Sequence, residues 1–371
     1  MPYMQRTRIL MDSDLDDDAT WRQRIDLAGS VVAIEMRINC DRYATRADND
    51  AVYTLADVIS RIELLKDATT PLISLTGEQL DAMNYWDFGR PNPRRYRQEA
   101  STGNDLVLFL MGGRDLYDRE YGWDFDKLNK VYLEYTYDLN EGVAEYFKAN
   151  DHDITLYAWQ WKGSNVPKFK GYMRSRQLDA WTTTAADAEH TVEIPASNPV
   201  RRVAIQALTR TATLGGTFTS LDLRVDKGAY SPAIVKSPMD WCMAETVEYK
   251  LINELGGLDY LIASTEMDAP YWFSYLETMS CVPYGASGSS VPLLAGITLP
   301  PRIAASSAVA GEVFFTERGW GFQKCLRIGF DHEYDGFDLL RVPSGKALDL
   351  VVVEAAASKA VAAFFQDVIT Y

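Results

Sequence analysis

The chain has 371 residues, 47% hydrophobic and 24% charged, which provides a substantial core without cross-links or metals and enough length for two or three domains. Its formal net charge of −15 repels polyanions and anionic membrane surfaces, which argues against direct genome binding by the whole fold. The four cysteines, Cys40, Cys242, Cys281 and Cys325, lack the close spacing of a metal or redox motif and read as reduced core residues.

Residues 1–20 carry Arg6 and Arg8, then Asp12, Asp14, Asp16, Asp17 and Asp18, with no sustained period. This predicts a mobile N-terminal arm that orders only against a partner, its two arginines forming a small local anion contact. The Asp12-x-Asp14-x-Asp16 spacing opens like a calcium loop, but Asp17 stands where such a loop needs Gly and Gln23 where it needs Glu. No metal site is assigned there. The start of the chain lacks the apolar segment of a secretory signal, and no Asn-x-Ser/Thr sequon occurs, so synthesis in a cytoplasm is expected.

Regular structure is expected from Trp21 onward. Between Ser30 and Asn39, Val32, Ile34, Met36 and Ile38 share one face and Glu35 and Arg37 the other, the pattern of a half-buried strand. From Ile59 to Met83 comes a distinctive order: alternating Ile62-Glu63-Leu64, a turn at Asp67-Ala68-Thr69, a short strand, Thr76 as helix cap, and a helix with Leu80, Ala82 and Met83 on its core face. The same order returns from Phe218 to Met243, with Leu221-Asp222-Leu223, Asp226-Lys227-Gly228, Ser237 as cap and Pro238 at the first helical position. Three further segments match in the same order. Val32-Ala33-Ile34 stands against Val203-Ala204-Ile205, Gly122-Trp123-Asp124-Phe125 (with the strand from Val131) against Gly319-Trp320-Gly321-Phe322 (with Ile328), and Ile154-Thr155-Leu156 against Leu348-Asp349-Leu350. Four collinear matches predict two copies of one all-β unit.

Within the first copy, Arg90-Pro91-Asn92-Pro93 ends the helical element, Asp105–Met111 forms a strand, and Val131–Asp138 alternates cleanly. Ile154–Trp161 is apolar on both faces, which predicts that Tyr157, Trp159 and Trp161 bury against the sister unit or a neighbouring subunit. The first unit is placed at 21–165 and a linker at 166–196, bounded by Pro167 and Pro195. The second unit follows at 197–371, with an insertion at about 253–310 that holds Tyr271-Trp272-Phe273-Tyr275 and the small-residue run Gly285–Ser290. Those aromatics are read as anchors of the loop to its own core, with sugar stacking as the competing reading. The last segment is read as a strand, a turn near Ser358-Lys359 and a final strand; Asp349, Glu354 and Lys359 interrupt its apolar run, so nothing here reads as a membrane span.

Catalytic signatures are absent: there is no GxGxxG, GxxxxGK[ST] or GxSxG, and His152, His190 and His332 form no HExxH or HxxxH pattern. Glu63 and Asp222 occupy equivalent positions in the repeat, and a charge on the wet face of a strand is the ordinary explanation for both. No catalytic, cofactor-binding or metal-binding residue is assigned, and no cofactor.

The runs TWRQRIDLAGSVVAIEMRI (Thr20–Ile38), VISRIELLKDATTPLISLTGEQLDAM (Val58–Met83) and KVYLEYTYDL (Lys130–Leu139) resemble those of the double jelly-roll major capsid proteins of tailless icosahedral viruses. The resemblance covers most of the first unit and, through the repeat, the second. It implies an all-β fold of two tandem jelly-roll sandwiches with a short helix in each. It further implies a non-enzymatic homotrimer forming a pseudo-hexagonal tile of the virion shell, in contact with neighbouring capsomers and with minor capsid or penton proteins, and without sequence-specific nucleic-acid binding. The alternative from another class is a tandem β-sandwich carbohydrate-active or sugar-binding protein; a receptor-binding or spike protein shares the fold class and differs in copy number.

Overall fold

The computed structural model describes residues 1–15, 18–42, 53–96, 103–139, 147–209, 212–261, 266–268, 272–284, 293–294, 302–304, 312–331 and 338–371. The first half holds β1 (Tyr3–Leu15), β2 (Asp18–Ile25), β3 (Ser30–Arg42), β4 (Arg61–Lys66), β5 (Thr70–Leu75), α1 (Gly77–Phe88), β6 (Arg94–Arg95), β7 (Gly103–Met111), β8 (Trp123–Asp124), β9 (Val131–Asp138) and β10 (Phe147–Lys162). The second holds β11 (Gly171–Thr182), β12 (Glu189–Ile194), β13 (Val200–Ala207), β14 (Phe218–Val225), β15 (Tyr230–Val235), α2 (Pro238–Glu248), β16 (Glu254–Leu261), β17 (Glu266–Asp268), β18 (Phe273–Tyr284), β19 (Leu293–Leu294), β20 (Arg302–Ala304), β21 (Glu312–Phe322), β22 (Cys325–Gly329), β23 (Leu348–Glu354) and β24 (Ala360–Thr370).

In the first half, a sheet ordered β1-β10-β3-β7-β6 faces strands ordered β2-β9-β4-β5. Inward side chains of both, among them Ile34, Met36, Leu156, Ile62, Leu64 and Leu133, form one buried cluster. In the second half the order repeats: β11-β24-β13-β22 faces β12-β23-β14-β15, enclosing a cluster with Val203, Ile205, Leu221, Leu223, Leu350 and Phe365. Two four-stranded antiparallel layers with this crossing connectivity make a jelly roll, so the chain is a double jelly roll. The layer ending in β5 and the layer beginning with β11 join into one eight-stranded sheet. At that join Ile73 and Ser74 pair in parallel with Ser175 and Arg176, whereas the other described strand pairs are antiparallel.

The strand–turn–strand–helix element recurs as expected. Asp67 and Ala68 both adopt positive φ (52° and 64°) in the β4–β5 turn, and Asp226 and Lys227 do the same (52° and 56°) in the β14–β15 turn. That paired left-handed conformation matches the twist of a tight hairpin. Thr76 and Ser237 cap the two helices as read, Thr76 within a reciprocal box with Gln79. The closing segment is β23, a turn containing Ser358 at φ 59°, and β24.

Three expectations are corrected. Residues 3–15, expected as a mobile arm, form β1 and pair with β10. Register shifts between Arg8 and Leu10 and between Leu10 and Ser13 break the period of two that would have revealed the strand. The segment 166–196, expected as a linker, holds β11 and β12. β11 is bulged between Gln177 and Asp179 and touches both units, so its alternation is also blurred. Third, two of the four internal matches are displaced by one strand. By sheet position Leu348–Leu350 (β23) corresponds to Val131–Leu133 (β9), and β10 corresponds to β24. Trp123 follows β7, whereas Trp320 precedes its counterpart β22. An alternating pattern fits any strand onto any other, so parity alone could not choose among them. Between α2 and β22 the described strands form two small sheets, β16-β21-β18 and β17-β20-β19. The run Gly285–Ser290 lies outside the described residues.

Gly77 opens α1 against the β4 approach, where an added Cβ would lie 2.5 Å from the Ala56 carbonyl oxygen and 2.7 Å from the Ile59 Cβ. The Gly77→Ala variant is therefore expected to lose about 1–3 kcal/mol of stability by overpacking. Urea unfolding measures it, and an unchanged midpoint would contradict this packing.

Candidate functional site

The helix α1, GEQLDAMNYWDF, mixes polar and apolar residues around its whole circumference, and every residue from Gly77 to Asp87 is buried except Glu78, which is partly covered. A helix with no wet side must satisfy its charges inside the protein. It does so largely across the boundary between the rolls. Asp87 accepts hydrogen bonds from Arg201 (2.9 Å) and from Arg202, both at the start of β13. Arg201 reaches on to Asp331 (3.0 Å) and to Gln366 of β24 (2.9 Å). Glu78 meets Lys324 at 3.0 Å and Gln206 at 2.8 Å. Asp81 is gripped twice by Arg94 (2.7 and 2.9 Å) from its own roll and accepts a bond from Gln323 of the other.

Gln323 and Lys324 form the turn between β21 and β22, both at positive φ (52° and 54°), and that turn delivers their side chains to the first two helical turns of α1. Gln79 donates to Gln177 of β11 at 2.9 Å, extending the seam to the β5–β11 join. Apolar contacts fill the rest. Trp86 stacks near Phe364 (6.1 Å between ring centroids) and Tyr85 on Phe322 (4.6 Å). Asn84 holds the helix to its own roll by exchanging two 2.7 Å bonds with the backbone of Phe109.

The counterpart helix α2 has a different environment. Its inner face holds Cys242 and Glu245, the latter paired to Arg327 at 2.6 Å, and burial pushes the Glu245 carboxyl above its ordinary range against the pull of that guanidinium. Its outer face is wet: Met239, Met243 and Val247 are 42%, 37% and 80% exposed, spaced four residues apart. Laying Ser237 on Thr76 puts Met239, Met243 and Val247 on Glu78, Ala82 and Trp86 of α1, the first largely covered and the other two buried. The same side of each helix is thus covered in one roll and bare in the other.

The outer face of the β1-β10-β3-β7 sheet carries a second cluster. Glu35 is nearly fully buried and accepts bonds from Arg6 (2.6 and 2.8 Å), Arg37 (2.7 Å) and Trp159 (3.0 Å). Burial pushes its carboxyl up, but these donors together outweigh it and hold it below its ordinary value. Arg6 also lies over the Tyr157 ring at 3.4 Å. Beside this group opens a concavity of about 750 Å³ lined in part by Asn39, Val107, Thr155 and Tyr157. The outward residues of Ile154–Trp161 therefore differ in fate: Trp161 is buried beside Phe169, while Tyr157 and Trp159 remain half-buried on this open face.

The remaining candidate residues have structural partners. Glu63 pairs with Arg61 (2.9 Å) and accepts from Ser74, and Asp222 pairs with Arg224 (2.6 Å). His152 is buried against Tyr135 (3.0 Å) and Tyr137, and burial pushes it down to about 4. His190 bonds Asp179 at 2.9 Å, and His332 lies outside the described residues. Cys40, Cys242 and Cys325 are free and buried, as read, while nothing is described of the Cys281 side chain. Of the aromatic group in the insertion, Trp272 and Phe273 are buried and the Tyr275 hydroxyl accepts from the Gly215 N–H (2.7 Å), so these three anchor the loop; Tyr271 lies outside the described residues. Among the described residues no group of His, Cys, Asp and Glu is arranged to hold a metal ion, and no helix is long and apolar enough to cross a membrane.

Sequence reasoning passed over the seam residues Glu78, Asp81, Asp87, Arg201 and Arg202. The available signals were a capped helix with no polar face of its own and two adjacent arginines opening an apolar strand.

No family model matches the chain, and no curated protein matches its sequence significantly. Its fold, by contrast, is found among solved structures. The chain matches the crystal structure of the major capsid protein of Sulfolobus turreted icosahedral virus with a TM-score of 0.58 at 9% identity, over 99% of this chain and 97% of that one. Against the atomic structure of the same virus the TM-score is 0.61 at 8% identity, with 99% and 91% covered. The major capsid protein P2 of bacteriophage PM2 gives a TM-score of 0.51 at 8% identity, with 99% and 98% covered. The double jelly roll read from the topology is thus the fold of these capsid proteins, over nearly the full length of both partners.

One outcome tests the seam and a second tests the buried carboxylate of β21. Asp87→Ala leaves Arg201 and Arg202 buried without their shared carboxylate and is expected to cost about 3–5 kcal/mol in chemical denaturation, whereas a loss under about 1 kcal/mol would contradict the assignment. Glu317 in β21 is buried with only the Trp272 N–H as partner among the described residues (3.0 Å), and burial pushes its carboxyl up to about 8. In an unfolded chain it titrates near about 4.3. The folded form keeps a proton that the unfolded form loses, so stability falls as pH rises from the unfolded value to about 8. Glu317→Gln lacks that proton linkage and is expected to gain about 3–4 kcal/mol over wild type at pH 8 relative to pH 5; parallel pH profiles would contradict it.

Proposed function

We propose that the chain is a structural major capsid protein of a virus, which assembles as a homotrimer into pseudo-hexagonal tiles of an icosahedral shell. The observation that carries this reading is the duplication: two jelly rolls stand side by side, welded at the β5–β11 join and by the buried α1 seam, in the fold of capsid proteins at nearly full coverage. On this reading the first domain runs from β1 to β10 and the second from β11 to β24. Two similar rolls per chain let three chains approximate a sixfold outline that fills a shell without gaps.

The acidic surface, with a net charge of −15, keeps unassembled copies apart in solution, and close association then depends on apolar and hydrogen-bonded surfaces. The role is non-enzymatic and the site of action is the virion, after synthesis in the host cytoplasm. Its partners are other copies of the chain, neighbouring capsomers and minor capsid or penton proteins. The carbohydrate-binding alternative loses its platform, because Trp272 and Phe273 face the core.

Native mass measurement of the purified chain is expected to show three copies, or larger shells built from them. A single chain persisting at micromolar concentration and near-physiological salt would contradict the reading.

A further inference from the structure

The join between the two rolls uses two sets of elements. The first roll contributes the edge strand β5 and the outer side of α1. The second roll receives them on its edge strand β11 and on the outer face of β24, β13 and β22. By sheet position every one of these has a counterpart in the other roll: β15 and α2 correspond to β5 and α1, while β1, β10, β3 and β7 correspond to β11, β24, β13 and β22. β15 and β1 each stand at the end of their sheet's strand order. Such edges carry unpaired backbone donors and acceptors. Ile234 on β15 is 52% exposed.

The residue register can be carried across. The β4–β5 and β14–β15 ladders set Ala233-Ile234 on Ile73-Ser74, the pair that bonds Ser175-Arg176 of β11, with Lys236 as one extra residue before the Ser237 cap, which lies on Thr76. On the receiving side Ala33 matches Ala204. Trp159 faces Ala33 as Phe364 faces Ala204, and Arg6 faces Trp159 as Gln177 faces Phe364. Met4-Gln5 therefore stand for Ser175-Arg176. Two side-chain contacts of the seam then translate into chemically sensible ones. The Gln79–Gln177 hydrogen bond becomes Asp240 opposite Arg6, an acid facing a base. The Trp86–Phe364 stack becomes exposed Val247 on half-buried Trp159.

We infer that β15 and α2 of one copy dock onto the β1 edge and the outer Trp159 face of a second copy, repeating between chains the join that each chain makes within itself. β15 near Ala233-Ile234 adds in parallel to β1 near Met4-Gln5, Asp240 meets the positive charge at Arg6, and Val247 covers Trp159. The contact is head to tail, so each copy offers one donating and one receiving surface, and a closed ring leaves neither bare. This inference rests on the shell-subunit reading and names the surface through which its copies meet.

The test compares wild type and Val247→Arg by native mass measurement at one concentration, with circular dichroism as the check on folding. Val247 is 80% exposed, so the change leaves the isolated fold intact. Wild type is expected as three chains and V247R as one, with unchanged spectra. An Arg6→Lys variant treated with a zero-length carbodiimide is expected to give an inter-chain link between position 6 and Asp240 in peptide mass mapping. If wild type and V247R both measure three chains, or R6K assembles without that link, the inferred surface is wrong while the shell reading stands. If wild type itself is a single chain, the shell reading fails and takes this surface with it. Should V247R not fold, the R6K cross-link decides.

Discussion

A carboxylate taken out of water costs several kcal/mol unless cations and donors replace its hydration. Helix α1 takes three out of water, at Glu78, Asp81 and Asp87, and each is answered by at least one residue of the second roll. An isolated first roll would therefore expose a helix whose charges lack these partners, and an isolated second roll would leave Arg201 and Arg202 without Asp87. The seam makes the two rolls one cooperative body, with orientation fixed by directional bonds rather than by apolar contact alone. Trp86, Tyr85, Phe364 and Phe322 add dispersion around the polar contacts, and the Phe364 ring belongs to the apolar cluster of the first roll although its strand belongs to the second.

Much of the fold was legible in the residues because strand, turn, cap and helix each carry a local signature. Thr76 and Ser237, and the two hairpin turns ahead of them, could be read directly, and so could the matching strands at Val32–Ile34 and Val203–Ile205. Strand identity was less legible. Leu348–Leu350 matches Ile154–Leu156 in pattern but holds the sheet position of Val131–Leu133, because alternation carries parity and no address. β1 was hidden by its two register shifts, and β11 by serving both rolls at once. The seam was least legible of all: an Asp on a helix reads as a wet charge until Arg201 and Arg202, more than a hundred positions away, are brought to it.

The difference between α1 and α2 is the most informative asymmetry in the chain. A duplicated module diverges where its surroundings differ, and the outer side of α1 has become Glu78, Ala82 and Trp86, matched to an intramolecular partner, while α2 keeps Met239, Met243 and Val247 toward solvent. Flexible thioethers in a regular apolar stripe suit a surface that is covered after folding. The open face around Glu35, Arg6 and Trp159 has complementary character, apolar aromatic area beside a fixed positive charge.

Averaged electron-microscope images of the purified protein viewed end-on test the proposal that two joined rolls form one third of a near-sixfold tile. A ring of six lobes of similar size around a threefold axis is expected. Particles with two lobes, or lobes arranged about a twofold axis, would contradict it.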